Sequence, residues 1–331
     1  MHSRKKKHLN PSSFSEVDIL RLLKSDACGK SKKVSARSSV IRAVAFQTVL
    51  SHTQYEISDN EICREPHQSL LGEGGYGRVY RAKYNGRDVA VKEMKFKTQD
   101  MLQACEEEAE MMSELYSRLN MPNAIAYYGF TCDRRASKYS IVMECMHGGS
   151  LENWIDKVGQ QENFDENWRL RYQWMRQLTT DLRFLHQHGI VHRDLGSKNI
   201  FLNGEEDSLK IGDYGFVAYS RGAVGTPCYM APEVLLLMSA EWWEKTDIFG
   251  LGCIFWELAT MQLIWGETEM SDQTDRVSRG EREEIPDKVP PKVASLIRWC
   301  WHQDPKMRPT AAVLKEVLDS DIDVMPAGLT L

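Results

Sequence analysis

The segment Gly72-Glu73-Gly74-Gly75-Tyr76-Gly77 restricts the fold more than any other stretch of the chain. Glycines at this spacing serve a dinucleotide site when a strand precedes them and a helix follows. Here strand-forming sequence stands on both sides, from about Gln68 before the glycines and from Val79 after them. Asn85-Gly86 then separates two strand-like runs, the signature of a tight hairpin. A glycine turn held between two strands fits a flexible flap that closes over phosphate groups.

The second strand of that hairpin carries Val89-Ala90-Val91-Lys92. Strand alternation puts Ala90 and Lys92 on one face and Val89 and Val91 on the other. The small Ala90 leaves room for a flat base, and Lys92 beyond it reaches phosphate oxygens. An ordinary surface lysine would be the simpler reading were it not for Glu108. A helix is predicted over roughly Met101–Arg118, with Met101, Cys105, Met112 and Leu115 on one stripe. Glu108 falls on that stripe, whereas Glu106, Glu107 and Glu110 lie off it. An acid on a buried face needs a partner. Lys92 is the natural one, and an ion pair would aim its ammonium at the phosphates.

After Tyr139–Met146 the chain becomes mostly helical. Leu178, Leu182 and Leu185 mark a buried helix that stops at Gly189, and Ile248–Thr260 is apolar nearly all round, as a central core helix is. These elements predict a small β-rich lobe, a larger helical lobe and a hinge near Glu144–Gly148, with the ligand cleft between the lobes. Behind the buried helix comes Val191-His192-Arg193-Asp194-Leu195-Gly196-Ser197-Lys198-Asn199, and then Asp213-Tyr214-Gly215. Mg²⁺ takes hard oxygen ligands, one or two from protein and the rest from phosphates and water. Asn199 and Asp213 suit that task, which leaves Asp194 to accept a hydrogen bond from a substrate hydroxyl. Alone, D-x-G reads as a turn and H-R-D as a helix cap. Neither explains why all the pieces occur in this order.

Together with Ala231-Pro232-Glu233, Asp247 and Arg308 in WCWHQDPKMRPT, these motifs resemble the eukaryotic protein kinase family over about residues 68–318. HRDL-x-S-x-N and the CW-x-x-DP-x-x-RPT ending are similar to the tyrosine-kinase-like branch of Ser/Thr kinases. The resemblance implies an α+β, bilobal kinase fold: a small β-rich N-lobe with one major helix, and a larger, mainly helical C-lobe. It implies ATP and Mg²⁺ as cofactors, with Mn²⁺ as an alternative metal. Leu71, Gly72, Gly74, Gly77, Val79, Ala90, Lys92, Met143, Glu144, Met146, Asn199 and Asp213 are the implied nucleotide contacts, and Asn199 and Asp213 the metal ligands. Met143 aligns with the gatekeeper and Glu144–Met146 with the hinge that bonds adenine. Asp194, Lys92, Glu108, Lys198 and Thr226 make up the catalytic set. Tyr214 replaces the usual Phe and is expected to stack between His192 and Met112, its hydroxyl needing a partner or water. Glu233 and Arg308 are expected to form a structural bridge, and Asp247 to anchor the catalytic loop.

Acceptor choice is divided in the sequence. The Lys that Ser/Thr kinases carry two residues after the catalytic Asp is Gly196 here, and Lys198 stands four after it, as a cation does in many tyrosine kinases. Gly225-Thr226-Pro227-Cys228-Tyr229-Met230 points the other way, because tyrosine kinases tend to have Pro where Thr226 stands and Trp where Tyr229 stands. A Thr226 hydroxyl bonded to Asp194 would keep the loop close to the base and favour a short acceptor, since a Tyr oxygen reaches further from its backbone. Ser/Thr is therefore the primary expectation, with tyrosine or dual specificity as the alternative and a pseudokinase scaffold as the second. A small-molecule kinase is disfavoured, because Gly225–Glu233 resembles a peptide-positioning loop. Only 21 residues run from Asp213 to Glu233, so weak dependence on loop phosphorylation is expected, with Arg193 available to bind a phosphate on Tyr219 or Ser220.

The expected domains are a basic extension over 1–65, partly disordered or helical, the kinase domain over 66–319, and a C-terminal tail over 320–331. Weak helical patterns surround Phe14–Ala27 and Val40–Val49. Residues 1–50 carry a net charge of +8 and the remainder −13, within an overall balance of −5. That asymmetry suggests an arm that docks a partner or an anionic surface. The hydrophobic fraction of 42% suits a soluble globular chain. No run is long enough to span a bilayer, and no apolar core follows the basic start. The eight scattered cysteines favour free thiols. The expected setting is cytoplasmic, or nuclear through the basic arm, with a protein substrate and no nucleic acid partner.

Overall fold

The computed structural model describes residues 55–64, 70–74, 77–159, 167–215, 225–236, 243–266 and 268–320. All lie within the compact unit Gln47–Leu331. The patterns around Phe14–Ala27 and Val40–Val49, the basic arm, Gly75, Tyr76, Tyr219 and Ser220 fall outside the described residues.

The hairpin expected from Asn85-Gly86 joins β3 (Gly77–Tyr84) to β4 (Arg87–Lys95). Its turn residues have φ of 49° and 76°, the left-handed conformation that asparagine and glycine adopt most easily. Around this hairpin a sheet is built from β1 (Ile62–Cys63), β2 (Leu70–Gly74), β5 (Tyr127–Asp133) and β6 (Lys138–Glu144). The order is β1-β3-β4-β6-β5, with β2 also on β3. Direct cross-strand partners share a face, so the pairs Val79–Lys92, Ala90–Met143 and Lys92–Ile141 put these side chains together. Val89 and Val91 point the other way, as alternation predicts. There they join Ile57, Ile62, Ala82 and Val142 in a buried cluster. Residues 55–63 thus cover the outer face of the sheet, and Ile57 N donates to Phe130 O at 2.8 Å.

Helix α1 (Gln99–Ser113) crosses the inner face. Thr98 caps it by accepting a bond from Met101 N at 3.2 Å, and a π-helical turn over Glu114–Arg118 ends it. The buried row is Leu102, Cys105, Glu108, Ala109 and Met112. Met101 does not belong to the buried stripe and is 44% exposed. It sits in the capped first turn at the edge of the row, and Leu102 takes the inward place.

The second lobe is helical. It comprises α2 (Leu151–Gly159), α3 (Trp168–Gln187), α4 (Pro232–Leu235), α5 (Trp243–Thr260), α6 (Met270–Ser278), α7 (Pro291–Cys300) and α8 (Ala311–Ser320). Every residue of α5 from Asp247 to Thr260 is buried, in agreement with its all-round apolar sequence. A small sheet of β7 (Gly149–Ser150), β8 (Ile200–Leu202) and β9 (Leu209–Ile211) lies at the lobe boundary. It carries the two loops that hold the motifs. No helix among the described residues is long and apolar enough to cross a membrane.

Candidate active site

Strand β4 delivers Lys92 and helix α1 delivers Glu108, and their Nζ and Oε1 meet at 2.6 Å. Lys92 Nζ also lies 3.0 Å from Asp213 Oδ1, just beyond β9. Burial alone would strip the charge from Lys92. The Glu108 and Asp213 carboxylates outweigh it and hold the ammonium well above its usual range. The same contact keeps the Asp213 carboxyl below its usual range against the effect of burial. These three side chains line a cavity of about 540 Å³ together with Gly74, Gly77 and Met101.

The catalytic-loop motif is fixed from below by α5. Asp247 Oδ2 accepts from His192 N at 2.8 Å, and Oδ1 accepts from Arg193 N at 2.8 Å. His186 Nε2 adds a third contact, 2.9 Å from Oδ2. These bonds hold Arg193 at φ 69°, a left-handed conformation that costs a non-glycine residue about 1–2 kcal/mol. The Arg193 guanidinium lies over the Trp243 ring at 4.4 Å, and burial lowers its affinity for its proton. The sequence left it available for a phosphate; in the structure its flat face rests on the indole, and its Nε and Nη1 are buried with no hydrogen-bond partner.

His192 Nε2 donates to Gly212 O at 2.9 Å, which ties this loop to the one bearing Asp213. Tyr214 packs edge-on against His192 with ring centres 5.4 Å apart. Its hydroxyl finds the partner it needs in Ile211 O at 3.0 Å.

Asp194 is surrounded by donors. Thr226 N and Thr226 Oγ1 both donate to Oδ1, at 2.7 and 2.8 Å. Lys198 Nζ and Asn199 Nδ2 both lie 3.0 Å from Oδ2. Asn199 Nδ2 also donates to Asp194 O at 2.7 Å. Its amide hydrogens are thereby engaged, leaving Oδ1 as the atom it can offer a cation. Asp213 uses Oδ1 on Lys92 and keeps Oδ2. Two hard oxygens from separate loops, beside a buried ammonium, fit a magnesium ion that shares phosphate ligands.

The other residues expected to contact a nucleotide are spread along the sheet. Val79, Ala90 and Met143 share the Lys92 face by register. Leu71 lies at the irregular pairing of β2 with β3 and is 45% exposed. Glu144 ends β6, and Met146 follows in the hinge, its carbonyl accepting from Gly149 N at 3.1 Å. The Glu144 carboxylate accepts from Lys210 Nζ at 2.7 Å and from Ala126 N at 2.9 Å. Nothing in the local sequence points to Lys210, because its partner is 66 residues away and no pattern marks the pair.

The ion pair between strand and helix, the anchored loop and the second acid beside a glycine flap define the catalytic core of a protein kinase. Residues 66–320 match the protein kinase domain family, and the chain belongs to it. It is similar to the serine/threonine-protein kinase CTR1 of Arabidopsis thaliana, 34% identical over 261 residues, covering 75% of this chain and 30% of that protein. The serine/threonine/tyrosine-protein kinase HT1 of the same plant is 30% identical over 274 residues, covering 79% and 67%. Mitogen-activated protein kinase kinase kinase 4 of Homo sapiens is 32% identical over 259 residues, covering 74% and 15%. The chain thus spans less than a third of CTR1. These relatives agree with a eukaryotic-type domain similar to the tyrosine-kinase-like branch.

Proposed function

We propose that the chain transfers the γ-phosphate of ATP to Ser or Thr hydroxyls of protein substrates. Residues 66–319 form the catalytic unit in this reading, flanked by 1–65 and 320–331. The observation that carries it is the setting of Asp194, with two donors from Thr226 on one oxygen and Lys198 and Asn199 on the other. A carboxylate so held is oriented but remains a hydrogen-bond acceptor for an incoming hydroxyl once one donor moves aside. Lys198, half-exposed at the cleft, is the donor free to move.

Bound Mg-ATP supplies the transferable phosphoryl group and a cation that offsets its charge. Asn199 Oδ1 and Asp213 Oδ2 would hold the metal. Lys92, kept charged and aimed by Glu108, would hold the phosphates, with Gly72, Gly74 and Gly77 closing from above. Leu71, Val79, Ala90, Met143, Glu144 and Met146 would enclose the base. Asp194 accepts the proton of the attacking hydroxyl, and Lys198 turns from Asp194 toward the charge developing on the transferred group.

The Ser/Thr assignment is supported by the Thr226 hydroxyl bonded to Asp194 at 2.8 Å. That bond draws the loop against the base and leaves depth for a short acceptor. Phosphoamino-acid analysis of the autophosphorylated chain and of myelin basic protein tests it. Phosphoserine and phosphothreonine are the expected products. Phosphotyrosine as the main product would overturn the assignment, and ATP binding without transfer would place the chain among scaffolds.

A further inference from the structure

The face of the sheet that carries Lys92 and Ala90 ends in a cluster of charge. Cross-strand register puts Arg81 opposite Ala90 and Lys83 opposite Asp88, so all of them share that face. In the proposed site Lys92 marks the phosphate end of this face and Ala90 the place of the base. Arg81, Lys83 and Asp88 then lie at the outer mouth of the base pocket.

His147 meets them from the hinge. The backbone beside it is held by the second lobe. Gly148 N donates to Leu202 O on β8 at 3.1 Å, and a Cβ at 148 would lie 2.4 Å from Asn203 O. Arg81 Nη2 donates to His147 Nδ1. A guanidinium cannot accept, so this bond needs a bare Nδ1 and puts the ring proton on Nε2. Nε2 lies 4.0 Å from Asp88 Oδ2, and Arg81 Nη2 lies 3.9 Å from the same oxygen. Lys83 Nζ pairs with Asp88 Oδ1 at 2.9 Å and keeps that carboxyl below its usual range, so Asp88 is charged at neutral pH. Among the other groups around the ring, Cys145 Sγ lies 4.0 Å from Nδ1 and Glu144 is taken up by Lys210. The loop after β8 approaches with the uncharged Gly204. A proton on Nδ1 would remove the acceptor and set two cations side by side. The imidazolium would turn to Asp88, and Arg81 would leave the hinge.

We infer that Arg81, Asp88 and His147 form a clasp across the mouth of the base pocket, closed by a neutral imidazole and opened by its protonation. Closed, the clasp ties β3 to the hinge and favours the approach of the lobes that a bound nucleotide needs. Arg81 and His147 are positioning residues in this account, acting through the lobes rather than on the reacting atoms. The inference rests on the reading of this face as the base pocket.

The test is calorimetric titration of MgADP into the full chain at about pH 6 and about pH 8, where a histidine changes charge. It compares the parent with Arg81→Gln, His147→Ala and the double variant. The side chains of Arg81 and His147 are 44% and 40% exposed, so these substitutions leave the core intact. The titration of ADP itself is common to all four chains. From about pH 6 to about pH 8 the parent should gain about threefold in affinity beyond the change shared by the variants, the scale of one exposed pair. At about pH 8 each single variant should bind about threefold more weakly than the parent, and the double variant no more weakly than either single one. Additive losses in the double variant, or a pH profile of His147→Ala that matches the parent, would overturn the clasp alone. Failure of all four chains to bind MgADP would overturn the base-pocket reading and the clasp with it.

Discussion

Single buried groups govern how this molecule responds to its surroundings. Asp181 on α3 is fully buried. One oxygen accepts from Asn123 Nδ2 at 3.1 Å, and Oδ2 has no hydrogen-bond partner. Burial pushes its carboxyl up to about 7, against the Asn123 bond and the Lys210 charge, while the Tyr214 hydroxyl nearby is pushed up as well. The sign follows from proton counting. Between the unfolded carboxyl's range near pH 4 and about 7, the folded chain keeps a proton that the unfolded chain releases, so stability falls as pH rises through that window. Glu257, pushed to about 7 mainly by burial, contributes with the same sign. Asp181→Asn removes one of the two titrations. Between about pH 5 and about pH 8 the thermal midpoint of this variant should fall less than that of the parent chain. Identical slopes would show that Asp181 is ionised throughout. The residues proposed to carry the chemistry were named because each stands in a local motif. Asp181 and Lys210 were not, since their meaning lies in partners brought together from distant segments.

Elements were legible in proportion to their periodicity. The hairpin, α1 and α5 announce themselves by turn chemistry or apolar pattern. The cover formed by residues 55–63 does not, because a two-residue strand and one 3-10 turn carry no period. The bridge between α4 and the segment before α8 was readable from motif order. Arg308 Nη1 and Nη2 meet Glu233 Oε1 and Oε2 at 2.6 and 2.8 Å. The guanidinium also donates to the carbonyls of Lys245 and His302, at 2.9 and 2.8 Å. Arg308 is fully buried, so Arg308→Met would leave the Glu233 carboxylate without its guanidinium partner in the interior. The expected loss is roughly 3–5 kcal/mol, read as a lower urea midpoint. A loss below about 1 kcal/mol would mean that the bridge is dispensable to the lobe.

At the scale of the whole molecule, two ion pairs among the described residues join segments of the two lobes. Lys92 meets Asp213 at 3.0 Å, and Glu144 meets Lys210 at 2.7 Å. The first holds the loop bearing Asp213 against β4, and the second ties β9 to the end of β6. Thr226 bonds Asp194, and Arg193 stacks on Trp243. The two-lobed plan was legible because strand signals give way to helical ones at Met146. The approach of the lobes was not, since Lys92–Asp213 and Glu144–Lys210 join segments far apart in the sequence. The central claim is that Asp213 and Asn199 hold the metal of a phosphoryl-transfer site served by Asp194. The most direct measurement is transfer of radiolabelled γ-phosphate from Mg-ATP to myelin basic protein, comparing the parent chain with Asp213→Asn, each shown to be folded by its thermal transition. The account predicts transfer by the parent chain and a fall of far more than tenfold in the variant. A loss of less than about tenfold, roughly 1.4 kcal/mol of barrier, would contradict it.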